Sequence, residues 1–265
     1  MLKTLHYSEH YPQDSNGDRS NIPVVVLLHG LFGSSDNLNV IRRHLQQQFR
    51  VINIDLPDHG QSPRSAGFSF ENYAQQVVIT LNKLGIEKAS IIGHSLGGKV
   101  AMWIAYLQPQ FIDSLIILDI APVAYEPRHH DVINGLTAVK LDSIESRKHA
   151  QKLMAKFIDD PGTQAFLLKS FYEEEAKWHW RFNVNLLVRD YPLLSDWTLA
   201  GKVVYKNNVL FIKGENSDYI LAKYQAATKI QFPKASVKIV NAGHWLHAEK
   251  PQVVNSLIAK HLLGA

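Results

Sequence analysis

The sequence predicts an α/β fold, in which a mostly parallel central sheet is flanked by helices and carries one helical insertion. Short runs of β-branched and aliphatic residues alternate with longer amphipathic segments, and this alternation is typical of an open α/β sheet. The runs are almost continuously apolar, which indicates strands buried on both faces, as in parallel sheets. They are Val24–Leu28, Arg50–Asp55, Ala89–Ile92, Ser114–Ile120, Asn208–Ile212 and Ser236–Val240.

Five amphipathic segments predict the helices that flank the sheet. Residues that stop a helix mark their limits, as Gly85 does after the second segment and Pro109 after the third. The segments are Asn37–Gln48, Glu71–Leu84, Gly97–Leu107, Tyr219–Phe232 and Pro251–Leu263.

The stretch from Pro122 to about Ala200 interrupts the alternation. It contains no strand signal, is predicted to be helical over Val139–Ile158 and Thr163–Lys177, and is rich in aromatic residues. We therefore expect a core formed by residues 1–121 and 201–265, with residues 122–200 as a helical cap inserted between two sheet strands.

Composition restricts the class of protein. The chain has 265 residues, 46% of them hydrophobic, which is enough for one large domain or one domain with an insertion. Its net charge of +4 is scattered, whereas a nucleic-acid binder would cluster its basic residues. The absence of cysteine excludes disulfides, thiolate metal sites and a cysteine nucleophile. With no apolar signal core at the start and no apolar stretch of bilayer length, we expect a cytoplasmic protein that binds neither nucleic acid nor membranes.

Residues 93–97, Gly-His-Ser-Leu-Gly, match the pattern G-x-S-x-G. The match lies between a predicted strand and a predicted helix, which is the context that a nucleophilic serine on a strained turn requires. Its glycines remove side chains that would clash in the turn, and the helix N-terminus favours developing negative charge. No phosphate-loop pattern fits the segment, and the remaining alternative is an incidental serine in a glycine-rich turn. We therefore predict that Ser95 is the attacking nucleophile.

The first apolar run leads into the loop 29–34, His-Gly-Leu-Phe-Gly-Ser, which is the candidate oxyanion loop. We expect the backbone N–H groups of Leu31 and Leu96 to bind the oxyanion, with Phe32 as a substitute for Leu31. Each such donor contributes about 10²–10³ in rate. We interpret His29 as a residue that packs and fixes this loop, with a role as the base as the alternative.

His244 is the candidate general base among the thirteen histidines. It follows the last predicted strand, so it lies at the carboxyl edge of the sheet beside Ser95. A base must approach the serine hydroxyl to hydrogen-bond distance, and this loop allows it. His247 suggests a metal pair with His244, but no third ligand is evident. We therefore expect neither a metal nor another cofactor.

The other histidines have less specific interpretations. His94 adjoins Ser95 but is expected to point elsewhere, because neighbours on a tight turn diverge. His59 is expected to shape a loop, and His129, His130 and Asp131 are expected to form a solvated cluster or part of the cap rim.

Two loops offer the acid that orients the base. Asp218 follows the fifth apolar run, and Asp119 lies at the end of the fourth. Both loops lie at the carboxyl edge of the predicted sheet, so position alone leaves both acids open.

Six segments give the chain a resemblance to the α/β-hydrolase superfamily and, more narrowly, to the YbfF-type bacterial esterases. They are residues 29–34, 93–99, 118–123, 166–171, 180–184 and 243–251. The usual superfamily position for the acid in the later loop holds Ser217, and Asp218 is displaced from it by one residue. The narrower resemblance implies Asp119 instead. It also implies cleavage of carboxylic esters, with thioesters including acyl-CoA as additional substrates.

Aromatic residues of the insertion and the loops are candidates for an apolar acyl pocket. The residues that we expect to contact substrate are Phe32, Phe171, Trp180 and Trp245. The alternative for those in the insertion is that they form its own core. Lys169, Arg181 and Lys177 are candidates for meeting a phosphate, with a solvated surface role as the alternative.

These observations predict a serine hydrolase that acts on a small-molecule ester or thioester by two-step acyl transfer. A hydrolase of the same fold acting on an amide or carbon–carbon bond is one alternative, because a shared fold does not determine the reaction. A binding module with little turnover is the other. The sequence does not indicate an oligomeric state.

Overall fold

A seven-stranded sheet forms the centre of the protein, whose computed structural model describes residues 3–13, 19 and 21–264. Its strands are β1 (Tyr7–His10), β2 (Val24–Leu28), β3 (Arg50–Ile54), β4 (Ala89–His94), β5 (Ile112–Leu118), β8 (Val209–Gly214) and β9 (Ala235–Val240), while β6 (Phe171–Glu174) and β7 (Lys177–Trp180) form a separate hairpin. The strands of the main sheet lie in the order β1-β3-β2-β4-β5-β8-β9. Six of them pair in parallel, and β1 pairs antiparallel with β3.

Helices cover both faces of the sheet. Outside the insertion they are α1 (Asn39–Leu45), α2 (Phe70–Lys83), α3 (Leu96–Leu107), α9 (Gln225–Gln231), α10 (Leu246–Glu249) and α11 (Pro251–Leu262). Alternate side chains of β2 show this division, because Val26 and Leu28 pack with the helices α2 and α3, whereas Val25 and Leu27 pack with α1 and α11. Alternation of this kind follows from the two-residue repeat of a strand.

The predicted α/β architecture is confirmed: all six predicted strands are present, each with ends within two residues of the prediction. The antiparallel strand β1 was not predicted. Its sequence, Tyr-Ser-Glu-His, is polar and half-buried on an edge of the sheet, so it has no apolar run that would mark it. The predicted helix Tyr219–Phe232 is shorter than expected, since α9 begins at Gln225.

The chain between β5 and β8 contains the predicted insertion 122–200, and it is mostly helical but also forms one β-hairpin, so the expectation that it holds no strand was wrong. Its helices are short: α4 (His130–Ala138), α5 (Arg147–Met154), α6 (Pro161–Leu168), α7 (Val184–Arg189) and α8 (Tyr191–Ser195). In place of the predicted helix Val139–Ile158 the structure has the shorter helix α5, and in place of Thr163–Lys177 it has α6. After α6 the chain forms a β-hairpin of β6 (Phe171–Glu174) and β7 (Lys177–Trp180).

The turn of this hairpin explains why the sequence did not reveal it. Glu175 and Ala176 connect the strands with φ values of 50° and 58°. Two-residue hairpin turns with positive φ at both positions usually contain asparagine or glycine, and neither is present here. The hairpin is stabilised by packing instead, because Phe171 and Trp180 are buried in the same apolar cluster as the sheet.

Candidate active site

Ser95 lies on a sharp turn between β4 and α3. Its backbone has φ 53° and ψ −117°, a strained conformation for a residue with a side chain. Close packing around the turn requires glycine on either side. A Cβ on Gly93 would lie 2.3 Å from the carbonyl oxygen of Gly97, and one on Gly97 would lie 2.2 Å from that of Leu28. The two glycines thus allow the helix to approach the strands closely and hold the serine above the sheet edge.

Asp119 and His244 contact each other directly. His244 Nδ1 lies 2.8 Å from Asp119 Oδ2, and the aspartate is fully buried. Two further donors fix the carboxylate, because the N–H of Gly214 donates to Oδ1 at 2.9 Å and the Ser217 hydroxyl donates to Oδ2. Asp218 is exposed, and no hydrogen bond between it and His244 is present among the described residues. The positions of Asp119 and Asp218 in the sequence left both as candidates for the acid. Of these two, only Asp119 contacts the imidazole of His244.

Ser95 and His244 line one cavity of about 960 Å³ between the sheet loops and the insertion. With Nδ1 donating to Asp119, the His244 ring retains Nε2 as a proton acceptor. In the described part of the chain, Ser95 Oγ makes no hydrogen bond to His244. Catalytic hydrogen bonds are often long in structures without substrate and shorten when substrate binds.

Two backbone N–H groups beside Ser95 are available to an anion. Leu31 and Leu96 both line the cavity, and Leu96 is the first residue of α3, where an N–H has no partner within the helix. No hydrogen bond of the Leu31 N–H is present among residues 3–13, 19 and 21–264. The Phe32 N–H, in contrast, donates to His59 Nε2 at 3.2 Å. Of the two expected alternatives in this loop, Leu31 is therefore the one with a free donor.

Two buried histidines brace the loop that carries Leu31. His29 accepts the N–H of Leu56 at Nε2, 3.0 Å away, and its Nδ1 lies 2.8 Å from the carbonyl of Gly30. His59 Nδ1 lies 2.8 Å from the carbonyl of Pro57. Burial lowers the pKa of both side chains, that of His59 to about 3, so both are neutral at neutral pH. Their contacts fit the interpretation of His29 and His59 as loop-shaping residues.

His94 and His247 lie behind the candidate base. His94 Nε2 donates to the backbone carbonyl of His244 at 2.9 Å, and its ring centroid is 4.6–4.7 Å from the rings of His244 and His247. Burial lowers the pKa of His94 well below its usual value and that of His247 to about 4. The described residues contain no group of three or more metal-ligating side chains. The arrangement makes His94 a support for the His244 loop.

Tyr219, which sequence reasoning did not identify, lies against the candidate base. Its ring stacks on the His244 imidazole with centroids 4.0 Å apart and an interplanar angle of 23°. No motif marks this residue, because it follows β8 in a loop and its contact is with a residue of the next loop. His129 turns inward to it, whereas His130 and Asp131 are exposed, as expected of a rim.

The four predicted substrate contacts separate into two pairs. Phe32 and Trp245 line the cavity, and Trp245 packs on Phe166 of the insertion. Phe171 and Trp180 do not line it, which corrects the prediction. They are buried against each other with ring centroids 4.5 Å apart, because they pack the inner face of the hairpin.

The cavity wall combines apolar and basic side chains. Lys169 and Arg181 line it, whereas Lys177, the third candidate for meeting a phosphate, does not. Further apolar and basic side chains of the lining include Val40, Ile120, Val132, Phe166, Leu194, Arg43, Lys99 and Arg128, and two carboxylates, Asp36 and Glu249, lie on the same wall.

Lys99 ties the insertion to the helix that follows Ser95. Its Nζ donates to the backbone carbonyls of Ser195 and Asp196, at 3.3 and 3.0 Å, and lies 5.0 Å from the centre of the Tyr125 ring. The side chain is 2% exposed. Burial lowers the pKa of Lys99 to about 7, against the opposing effect of Asp196.

In the described residues, no helix is long and apolar enough to cross a bilayer.

Comparison with known proteins relates the chain to hydrolases over most of its length. Residues 23–251 match the family model for the alpha/beta hydrolase fold. The chain is 39% identical to Esterase YbfF of Escherichia coli (strain K12) over 252 residues, which cover 94% of this chain and 96% of that protein. It is 33% identical over 246 residues to the Mus musculus sn-1-specific diacylglycerol lipase ABHD11, covering 89% of this chain and 80% of that relative.

A solved structure agrees with the sequence relatives. The structure named Marine microorganism esterase has a TM-score of 0.90 and 30% sequence identity, covering 97% of this chain and 99% of its own. The parallel sheet, the turn that carries Ser95 and the family-model match over residues 23–251 all indicate the alpha/beta-hydrolase fold. The chain therefore belongs to the alpha/beta-hydrolase family, and within it to the YbfF-type esterases.

Proposed function

We propose that the protein hydrolyses carboxylic esters through an acyl-enzyme on Ser95, with His244 as base and Asp119 as the acid that orients it. The observation that carries this proposal is the contact between His244 and the buried Asp119 on the wall of the cavity that Ser95 lines. The esterase and lipase names of the relatives support the same chemistry.

In the first half of the reaction, His244 Nε2 takes the proton from Ser95 as its oxygen attacks the ester carbonyl carbon. The carbonyl oxygen becomes negative and accepts hydrogen bonds from the N–H groups of Leu31 and Leu96. Asp119 stabilises the imidazolium. The carbon–oxygen bond to the alcohol then breaks, and His244 delivers its proton to the departing oxygen, which leaves the acyl group on Ser95.

In the second half, water replaces the alcohol. His244 takes a proton from the water as the water oxygen attacks the acyl carbon, and the same backbone donors bind the oxyanion. The bond to Ser95 breaks, the serine oxygen recovers the proton from His244, and the carboxylic acid leaves. Both steps use the same base, and water is the only reactant besides the ester.

The lining of the cavity supports acyl thioesters, including acyl-CoA, as additional substrates. A thioester passes through the same tetrahedral intermediate, with a thiol as the leaving group. Apolar side chains such as Phe166 suit an acyl chain, and Arg43, Lys169 and Arg181 suit an anionic leaving group.

The expected cytoplasmic location and lack of nucleic-acid binding stay predictions.

Hydrolysis of p-nitrophenyl esters of graded chain length tests the proposal. We expect turnover that Ser95→Ala reduces by about 10⁴-fold or more. Ser256→Ala, on the exposed face of α11, is the matched control and should retain full activity. A fluorophosphonate probe should label the wild-type protein and the control but not Ser95→Ala. No turnover of any ester or thioester by folded wild-type protein would contradict the proposal.

A further inference from the structure

The positive charge of the chain is concentrated in the segment that forms β8, α9 and β9. Residues 201–240 contain seven lysines, no arginine and two acidic residues, so this segment is more positive than the whole chain, whose net charge is +4. The other residues together are therefore close to neutral. In the part of the chain that the structure describes, none of the seven lysines forms an ion pair with a carboxylate.

An exposed patch lies where the end of α9 meets the edge strand β9. Its members, which we call the edge patch, are Lys229, Ile230, Lys234, Val237, Lys238 and Ile239. The Lys229 Nζ donates to the backbone carbonyl of Ala235 at 2.8 Å, which joins the end of the helix to the start of the strand. The two acidic residues of the segment, Glu215 and Asp218, lie outside the patch, in the loop after β8.

Three aliphatic side chains of the edge patch are exposed to solvent. Ile230 is 53% exposed, and Val237 and Ile239 are 48% and 64% exposed on one face of β9. Val237 pairs with Phe211 of β8, whose ring packs on Phe232 directly after α9 with centroids 5.6 Å apart. The face of the sheet that Phe232 covers over β8 is therefore left open over β9.

The composition of the edge patch distinguishes the partners that would cover it. A second copy of the chain would bring lysines together, and like charges repel. Interfaces with other proteins are enriched in arginine and depleted of lysine, which is the reverse of this segment. The phosphates of a nucleic acid would neutralise the lysines but leave the aliphatic side chains without a partner. An anionic bilayer offers a partner to both kinds of side chain.

We propose that the edge patch docks the protein on the surface of anionic lipid bilayers. Clustered lysines attract the headgroups, each by about fivefold in affinity, and exposed aliphatic side chains enter the boundary between headgroups and acyl chains. The expectation that the chain binds no membrane rests on the lack of an apolar stretch of bilayer length, which surface docking does not need. Docking lies outside the proposed function and does not depend on it, because no residue of the edge patch lines the cavity.

Co-sedimentation with vesicles of phosphatidylcholine, with and without phosphatidylglycerol, tests the docking. We expect the protein to bind the vesicles that contain phosphatidylglycerol, less so as salt is added, and to bind phosphatidylcholine alone weakly. Lys234→Gln with Lys238→Gln should lower the affinity for the anionic vesicles by about 25-fold, at about fivefold for each lysine. Val237→Thr with Ile239→Thr should lower it by about tenfold, because less apolar surface leaves water.

Each pair of substitutions has a matched control away from the edge patch. Lys152→Gln with Lys156→Gln removes the same charge from two exposed lysines of the insertion. Leu193→Thr removes an aliphatic side chain that is 52% exposed in α8. Both controls should bind within about twofold of the wild type, since charges beyond a Debye length are screened. Circular dichroism checks folding, and the exposed lysine pair keeps the test decisive if the threonine pair does not fold.

The other outcomes would overturn the docking. These are equal binding to both kinds of vesicle, binding to neither, and equal losses in the patch variants and their controls. Binding to poly-glutamate or duplex DNA in place of vesicles would assign the edge patch to an acidic protein or a nucleic acid. A dimer that the threonine pair dissociates, again in place of vesicle binding, would assign it to a second copy. Because none of these measurements uses ester hydrolysis, they are independent of the proposed function.

Discussion

The cavity has two walls that are held in different ways. The wall formed by the sheet loops depends on backbone geometry: Phe32, Ser95 and Asp119 all have positive φ values, between 50° and 60°. Each is a non-glycine residue in a conformation that costs about 1–3 kcal/mol and persists only where the surroundings enforce it. The buried ends of the strands and the close packing around Gly93 and Gly97 hold these conformations in place.

The wall formed by the insertion depends on side-chain contacts. Short helices and a hairpin pack on the core through a shared apolar cluster and through polar links, among them Lys99 to the end of α8, Asn183 to Asp58 and His129 to Tyr219. The comparison indicates that strained backbone places Ser95 and Asp119 on the wall formed by the sheet loops. The wall formed by the insertion has, beside its apolar packing, polar links that single substitutions can remove.

The largest expected effect concerns the acid on the sheet wall. Asp119→Asn should lower kcat by about 10⁴-fold, because the amide cannot stabilise the imidazolium and favours the wrong tautomer of His244. Asp218→Asn should leave kcat within about twofold, since Asp218 is exposed. Ester hydrolysis by the two purified variants measures the difference. The opposite ranking would transfer the acid role to the later loop.

The glycine contacts of the sheet wall are expected to give the next largest effect. Gly97→Ala should lower the free energy of unfolding by about 3 kcal/mol, because the new Cβ meets the Leu28 carbonyl at 2.2 Å. Urea denaturation measures it, with Gly67→Ala as control, where the nearest atom is 3.8 Å away. Similar stability of the two variants would show that the serine turn tolerates displacement.

Lys99 gives a pH-dependent test of the link to the insertion. Because its pKa falls to about 7 in the folded state, unfolding takes up a proton between pH 7 and the ordinary lysine value. The free energy of unfolding should therefore rise with pH in this window, by about 1 kcal/mol per unit, relative to Lys99→Met. Below pH 7 both states are protonated, so the difference should be constant. A constant difference throughout would show that Lys99 keeps its charge when buried.

The smallest expected effect comes from the link between Asn183 and the core. Asn183→Ala removes the 2.9 Å hydrogen bond to Asp58 Oδ1 and also the cap of α7, in which Asn183 Oδ1 accepts the N–H of Leu186 at 3.3 Å. The carboxylate retains its bonds from Tyr73 and Ser65, so we expect a loss of about 1–2 kcal/mol in thermal or urea unfolding. A loss as large as that of Gly97→Ala would contradict the distinction between the two walls.

Local patterns in the sequence were sufficient for the sheet and the serine turn. An apolar run such as Val24–Leu28 predicts a buried strand by itself, and residues 93–97 predict the turn because the motif lies directly between a strand signal and a helix signal. The strand β1 and the hairpin were missed for the converse reason. Their pairing partners and packing surfaces determine them, and their own residues carry no signal.

What the sequence by itself determined about this protein is the succession of its six parallel strands along the chain, the nucleophile candidate Ser95 and the base candidate His244. Tertiary structure decided which aspartate contacts that base, which N–H of the oxyanion loop is free and which aromatic side chain lies on the imidazole. The physical reason is distance along the chain. Asp119 and His244 are 125 residues apart, so only the folded sheet edge brings their atoms to 2.8 Å.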